Sequence, residues 1–201
     1  MSGLKQIEEA LQALRDGKII VYPTETSYGL GCDATNEEAV EKIFKMKGRE
    51  AGKGLPLILP SRESALQFVE FSSKAASLAD KYWPGPLNII ASVKKGSPIA
   101  PACSQDGTQS VRLSSHPFTS TLAKRFGKPL VATSANVAGA EAIYDVADIE
   151  RVFSDRPVQP DLIVDGGVLP KVPASTTVKM VGDKVVVVRQ GQIAITERLL
   201  S

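Results

Sequence analysis

The sequence predicts an α/β fold with a mixed sheet, on three observations. Short apolar runs of strand length alternate with longer stretches whose apolar residues recur every three or four positions. Val181-Gly182-Asp183, between two of the last runs, is a hairpin signal, so some neighbouring strands are antiparallel. Elsewhere a helical stretch separates consecutive strands, which requires crossovers and parallel pairing. At 201 residues one domain over 1–201 is the default, and no repeat, low-complexity segment or linker interrupts it.

Leu4, Ile7, Leu11 and Leu14 fall at three- and four-residue steps behind a Ser2 cap, and Gly17 closes this helix. Residues 18–22 read as a buried strand that runs into a polar segment, where the backbone is expected to turn. Asn36 caps a second helix with Val40, Ile43, Phe44 and Met46 along one side. Leu57-Ile58-Leu59 is a short strand stopped by Pro60, and helical stretches follow over 61–70 and 72–82. They end at Trp83-Pro84-Gly85-Pro86, because proline lacks the amide that a helix interior needs. Next come a strand over Leu87–Val93, a Gly-, Pro- and Ser-rich loop over 94–109 that reads as a surface or lid segment, and a strand over Ser110–Leu113. A helix over 117–126 leads to the strand Leu130–Thr133 and the polar turn Ser134-Ala135-Asn136. A helix near 145–153 precedes three last apolar runs, Leu162–Val164, Thr176–Met180 and Lys184–Arg189, and a short helix follows Gly191.

Composition narrows the function classes. Net charge is +2 with 43% hydrophobic and 23% charged residues. That balance lacks the concentrated basic face of phosphate-driven nucleic-acid binding and leaves room only for local basic clefts. No apolar run approaches the ~18 residues that span a bilayer, and the N-terminus has no signal-peptide core. Cys32 and Cys103 make no disulfide framework, and with a single histidine they make a poor zinc set, so no metal site built from protein ligands is expected. These features predict a reduced, cytoplasmic protein without membrane contact.

The chemistry concentrates in Tyr22-Pro23-Thr24-Glu25-Thr26-Ser27-Tyr28-Gly29-Leu30-Gly31 and in the cations Lys47, Arg49 and Lys53 after the second helix. Hydroxyl donors beside clustered cations suit a polyanion such as a nucleoside triphosphate. No G-x-x-x-x-G-K-[ST] loop and no G-x-G-x-x-G after the first strand is present, so side chains would have to hold a nucleotide. Four segments distant in sequence supply them at strand ends: Lys47/Arg49/Lys53, Thr108/Arg112, Ser134/Asn136 and Ser175/Arg189. Ligands of α/β sheets sit at strand ends, so these groups either converge in a cleft or are ordinary solvated charges and turn formers. Glu25 either orients a cation or magnesium-bound phosphate, or caps local amides. His116 is either a general base or a capping and packing residue, and no Ser or Cys nucleophile motif surrounds it. Cys32 and Cys103 read as buried thiols, and Asp145, Asp148, Glu150 and Asp155 as a helix-start pattern and a solvated face.

At these residues the chain resembles the threonylcarbamoyl-AMP synthase family, the YrdC-like enzymes of tRNA modification, over nearly its whole length. The segment 22–31 is similar to the family's opening signature, Lys47-Gly48-Arg49 to its K-x-R element, and Trp83-Pro84-Gly85-Pro86-Leu87 to its W-P-G-P segment. Val111-Arg112 with His116-Pro117, then Ser134-Ala135-Asn136, Ser175-Thr176 and Arg189-x-Gly191, complete the series in family order. Departures are local. Leu59-Pro60 stands where many members have V-H, the loop over 50–55 is longer, Asn88 replaces a common threonine, and Thr177-Val178-Lys179 differs from the usual ending.

The resemblance implies a twisted, open sheet with flanking helices and a concave basic cavity. It implies a nucleotidyltransferase that joins L-threonine, bicarbonate (or carbon dioxide) and ATP into threonylcarbamoyl-AMP and pyrophosphate, with Mg2+ accompanying ATP. Other proteins of the pathway would then transfer the threonylcarbamoyl group to a tRNA adenosine. By the family pattern Thr26, Arg112 and Ser175 hold threonine. Lys47, Arg49, Lys53, Thr108, Ser134, Asn136 and Arg189 face ATP, with Lys47, Arg49 and Ser134 the catalytic candidates. The competing reading is a YrdC-like paralogue that grips double-stranded RNA or tRNA on its concavity without chemistry. A third, a carbamoyl-transfer domain of hydrogenase maturation, lacks the fused segments expected of it.

Overall fold

The computed structural model describes residues 3–49, 52–182 and 184–195. The Ser2 cap, Asp183 of the hairpin turn and the part of the expected terminal helix from residue 196 on lie outside the described residues. Residues 192–195 are not helical.

Helix α1 (Gly3–Arg15) buries Ile7, Ala10, Leu11 and Leu14. Leu4 is exposed, so the apolar face starts one turn later than its spacing predicts. Strand β1 (Ile20–Pro23) follows and pairs antiparallel with β2 (Tyr28–Gly31). Helix α2 (Glu37–Lys47) begins as expected, with the Asn36 side chain accepting from the Ala39 amide, and all four predicted apolar residues are buried. Then come β3 (Leu57–Ile58), α3 (Arg62–Phe68), β4 (Val69–Glu70), α4 (Ser73–Tyr82) and β5 (Leu87–Val93). The chain continues through β6 (Thr108–Arg112), α5 (Pro117–Phe126), β7 (Leu130–Val131), β8 (Thr133–Ser134) and α6 (Val146–Phe153). It ends with β9 (Leu162–Ile163), β10 (Thr176–Val181) and β11 (Lys184–Arg189).

The strands form two ladders, β8-β2-β1-β9 and β11-β10-β5-β6-β3-β7, with β4 on the far end of β5. Pairing is mixed as predicted: β1 with β9, β3 with β6 and β5 with β10 are parallel, and the rest antiparallel. The run 130–134 belongs to both ladders. Leu130 and Val131 pair with β3, while Thr133 and Ser134 pair with β2. On the β2 side one register holds throughout, from Gly29 opposite Ser134 to Asp33 opposite Leu130, and the Val131 amide donates to Cys32 O at 3.0 Å. On the β3 side the Ala132 amide donates to Pro56 O at 2.8 Å. The two sheets are therefore joined through a single shared run.

The structure corrects the sequence reading in three places. Residues 28–31, expected to turn, form β2. Glycines lower strand propensity, yet Gly31 is needed here: a Cβ on it would lie 2.2 Å from Val131 O and 2.8 Å from the Tyr22 ring. The stretch 61–70 stops as a helix at Phe68, because Val69 and Glu70 pair with Val93 and Ser92. The loop over 94–109 is no lid. Its centre, a turn of 3-10 helix over Pro101–Cys103, is tied down by Ala100 N to Ala34 O (2.8 Å) and Leu55 N to Cys103 O (2.7 Å). Ile99, Ala100 and Cys103 are buried against α2, and Thr108 already belongs to β6.

Candidate active site

The sheet's period of two builds one wall of a cavity of about 600 Å³. Alternate residues share a sheet face, so Thr108, Ser110 and Arg112 of β6 look one way and Gln109 and Val111 the other. The first set lines the cavity, beside Asn88 and Ile90 of β5 and Thr177 of β10. The opposite wall comes from the turn between β1 and β2, the segment after α2, and the turn after β8. No carboxylate is among the described residues that line it.

The β1–β2 turn is organised by Thr24. Its hydroxyl donates to Ser27 O at 2.7 Å and accepts from the amides of Thr26 (3.2 Å) and Ser27 (3.3 Å). A closed turn of this kind fixes the two residues at its tip. Thr26 faces the cavity, its hydroxyl 3.0 Å from that of Thr24. Glu25 points the other way, against Arg112. Oε1 accepts from Arg112 Nε at 3.0 Å, Oε2 accepts from the Ser114 hydroxyl, and both charged side chains are buried. Burial pushes the Glu25 pKa up, but Arg112 and the hydrogen bonds outweigh it and leave the acid below the usual carboxylate range.

The turn 134–136 is organised by Lys47. Its ammonium donates to Ser134 O (2.6 Å), Asn136 O (2.8 Å) and Asn136 Oδ1 (3.0 Å), so all three N–H bonds are used. Burial and the neighbouring Arg49 bring its pKa down to about 8. The Ser134 hydroxyl donates to Asn136 Oδ1 at 2.6 Å, and Asn136 Nδ2 donates to Ala140 O at 2.6 Å. Arg49 donates to the carbonyls of Lys53 and Gly54 and so shapes the segment after α2. On the far wall Arg189 Nε donates to Ser175 O at 3.1 Å. Partial burial and the nearby Arg112 hold the Arg189 pKa below its ordinary value.

Thr26, Arg49, Lys53, Thr108, Arg112, Ser134, Asn136, Ser175 and Arg189 all line the one cavity. Lys47 does not line it. It stands one layer behind, spent on the turn that presents Ser134 and Asn136. Glu25 does not line the cavity; its carboxylate anchors Arg112 and also meets its own backbone amide, so the local-amide role holds beside the Arg112 pairing. His116 heads α5 outside the cavity, its Nδ1 unpartnered and its pKa lowered by burial against the opposing pull of Glu25. Both cysteines are buried free thiols, with burial pushing Cys103 up to about 12. Asp145 caps α6 through the Ala147 amide. Sequence reasoning missed Asn88, Thr177 and Ser110. The signals were present: a polar residue inside the apolar run 87–91, and polar residues at every second position of β6. No helix among the described residues is long and apolar enough to cross a membrane.

Comparison with known proteins gives the family. A Sua5/YciO/YrdC family model, described as "Telomere recombination", matches residues 12–191. A threonylcarbamoyl-AMP synthase of Vibrio campbellii is 36% identical over 158 residues, covering 76% of this chain and 84% of that protein. One of Idiomarina loihiensis is 39% identical over 151 residues, covering 74% and 80%. Among solved structures, P. abyssi Sua5 complexed with L-threonine matches with a TM-score of 0.83 at 29% identity, over 95% of this chain and 55% of that one. This chain thus spans little more than half of that Sua5. E. coli YciO matches with a TM-score of 0.83 at 27% identity, over 93% and 89%. Because the match runs through every segment that lines the cavity up to β11, the chain belongs to the Sua5/YciO/YrdC family.

Proposed function

We propose that the cavity makes threonylcarbamoyl-AMP from L-threonine, bicarbonate (or carbon dioxide) and ATP, for modification of a tRNA adenosine, as a nucleotidyltransferase. The observation that carries this is convergence: cations and hydroxyls from segments up to 165 residues apart in number, Thr24 to Arg189, line one hollow with no carboxylate among the described residues. The named activity of relatives at 36% and 39% identity supports it. In this reading Thr26, Arg112 and Ser175 hold threonine. Arg49, Lys53, Thr108, Ser134, Asn136 and Arg189 meet ATP, and Lys47 serves them from behind. The threonine amine is carboxylated, and a carbamate oxygen attacks the α-phosphate in line and expels pyrophosphate. The protein's share is positioning and charge neutralisation. Burial of the reactants protects a carbamate that loses carbon dioxide in water. A lining of hydroxyls, amides and cations fits Mg2+ only as an ion that arrives on ATP, held through phosphates and water, where it would neutralise the leaving charge. Buried free thiols and this substrate set fit the cytoplasm.

The test is pyrophosphate release from ATP, bicarbonate and labelled threonine. Release that requires threonine is the expected result. No release, together with salt-sensitive binding of tRNA or double-stranded RNA, would replace this reading with the paralogue. Arg49→Ala and Ser134→Ala should each lower kcat/KM by roughly 2–4 kcal/mol of transition-state stabilisation.

A further inference from the structure

Arg112 is the cation at the amino-acid end of the cavity, and its guanidinium is already partly engaged. Nε donates to Glu25 Oε1 at 3.0 Å, and Nη1 reaches Asn88 Oδ1 only at 3.5 Å. A carboxylate facing an arginine normally closes a two-bond fork, and Glu25 does not. Its second oxygen is taken by the Ser114 hydroxyl, which in turn accepts from the His116 amide at 3.2 Å. The Arg112 and Glu25 side chains are 5% and 10% exposed, so water screens the pair little. Arg189 lies close enough to feel the Arg112 charge. One internal acid against Arg112, with Arg189 also near, leaves this end of the hollow short of one negative charge.

We propose that Glu25 is the positioning residue of the amino-acid subsite. It grips Arg112 by one N–H, with Ser114 diverting its other oxygen, so the rest of the guanidinium fork stays open for the carboxylate of the bound α-amino acid. The inference rests on the threonine reading above and adds a residue to it. An unanchored Arg112 would swing within the cavity, and a Glu25 free of Ser114 would occupy both N–H positions itself. In both cases the incoming carboxylate loses its partner.

The experiment is calorimetric titration of wild type, Glu25→Gln and Ser114→Ala with L-threonine, L-threoninamide and ATP. Wild type should prefer threonine over the amide. Both variants should bind threonine about tenfold more weakly, narrow the threonine–amide preference and bind ATP as wild type does. Unchanged threonine binding in a folded variant, or an equal loss for ATP, overturns the inference. Should Glu25→Gln fail to fold, Ser114→Ala, which removes no charge, decides. Wild type that binds ATP but neither amino-acid probe overturns the threonine reading itself, and this inference with it.

Discussion

Lys47 shows how much a single side chain can organise from behind a cavity wall. Its three donors face three oxygens of the 134–136 turn, and one of these, Asn136 Oδ1, also takes the Ser134 hydroxyl. Lys47→Met keeps the stem and strands those acceptors, which should cost about 1–3 kcal/mol in denaturant unfolding at neutral pH. The pH dependence has a definite sign. An unfolded lysine titrates near ~10.4, and the folded one at about 8. Between these values the unfolded chain binds more protons, so wild-type stability rises from about pH 8 to about pH 10. Lys47→Met lacks that rise, and denaturation midpoints at the two ends of the window measure the difference. A matching slope in both proteins would show that Lys47 is not the group titrating. Glu25 gives a slope of the same sign in the acid range. Its lowered pKa contributes stability that is present above the ordinary glutamate range near ~4.3 and disappears as pH falls through the folded value.

At the scale of elements, the end of β11 depends on a close approach. The Thr176 hydroxyl donates to Ile193 O at 2.7 Å and accepts from the amides of Gly191 and Ile193, both at 3.0 Å. A Cβ on Gly191 would lie 2.0 Å from Ala174 O and 2.6 Å from Thr176 N. Gly191→Ala should therefore destabilise the protein by about 1–3 kcal/mol and weaken ATP binding by displacing Arg189. Thermal unfolding and nucleotide titration measure the two effects. Elements with their own local chemistry were legible in the sequence. Asn36 announces α2, and Pro117 with Gly127 brackets α5. Strand β2 was hidden because Gly31 answers first to Val131, a hundred residues away. The loop over 94–109 has a surface composition, and only its tertiary bonds to Ala34 and Leu55 reveal it as a wall. The site followed the same division. Residue types betrayed the segments, but not that Glu25 belongs to Arg112 or Lys47 to Asn136.

Across the whole molecule, ligands that bridge both walls should stabilise the sheet as a unit. ATP with threonine at saturating concentration should raise the melting temperature by mass action, and each alone should raise it less. Glu150, exposed on α6 away from the lining, provides the control. Glu150→Ala should leave turnover near wild type, and a large loss would mean that the active face has been misplaced. The distribution of the lining along the chain has one more consequence. Its first contributor is Thr24 and its last is Arg189. A growing polypeptide on the ribosome holds an unfinished hollow until β11 has emerged, so cellular metabolites can rescue only completed copies and give no help to nascent ones.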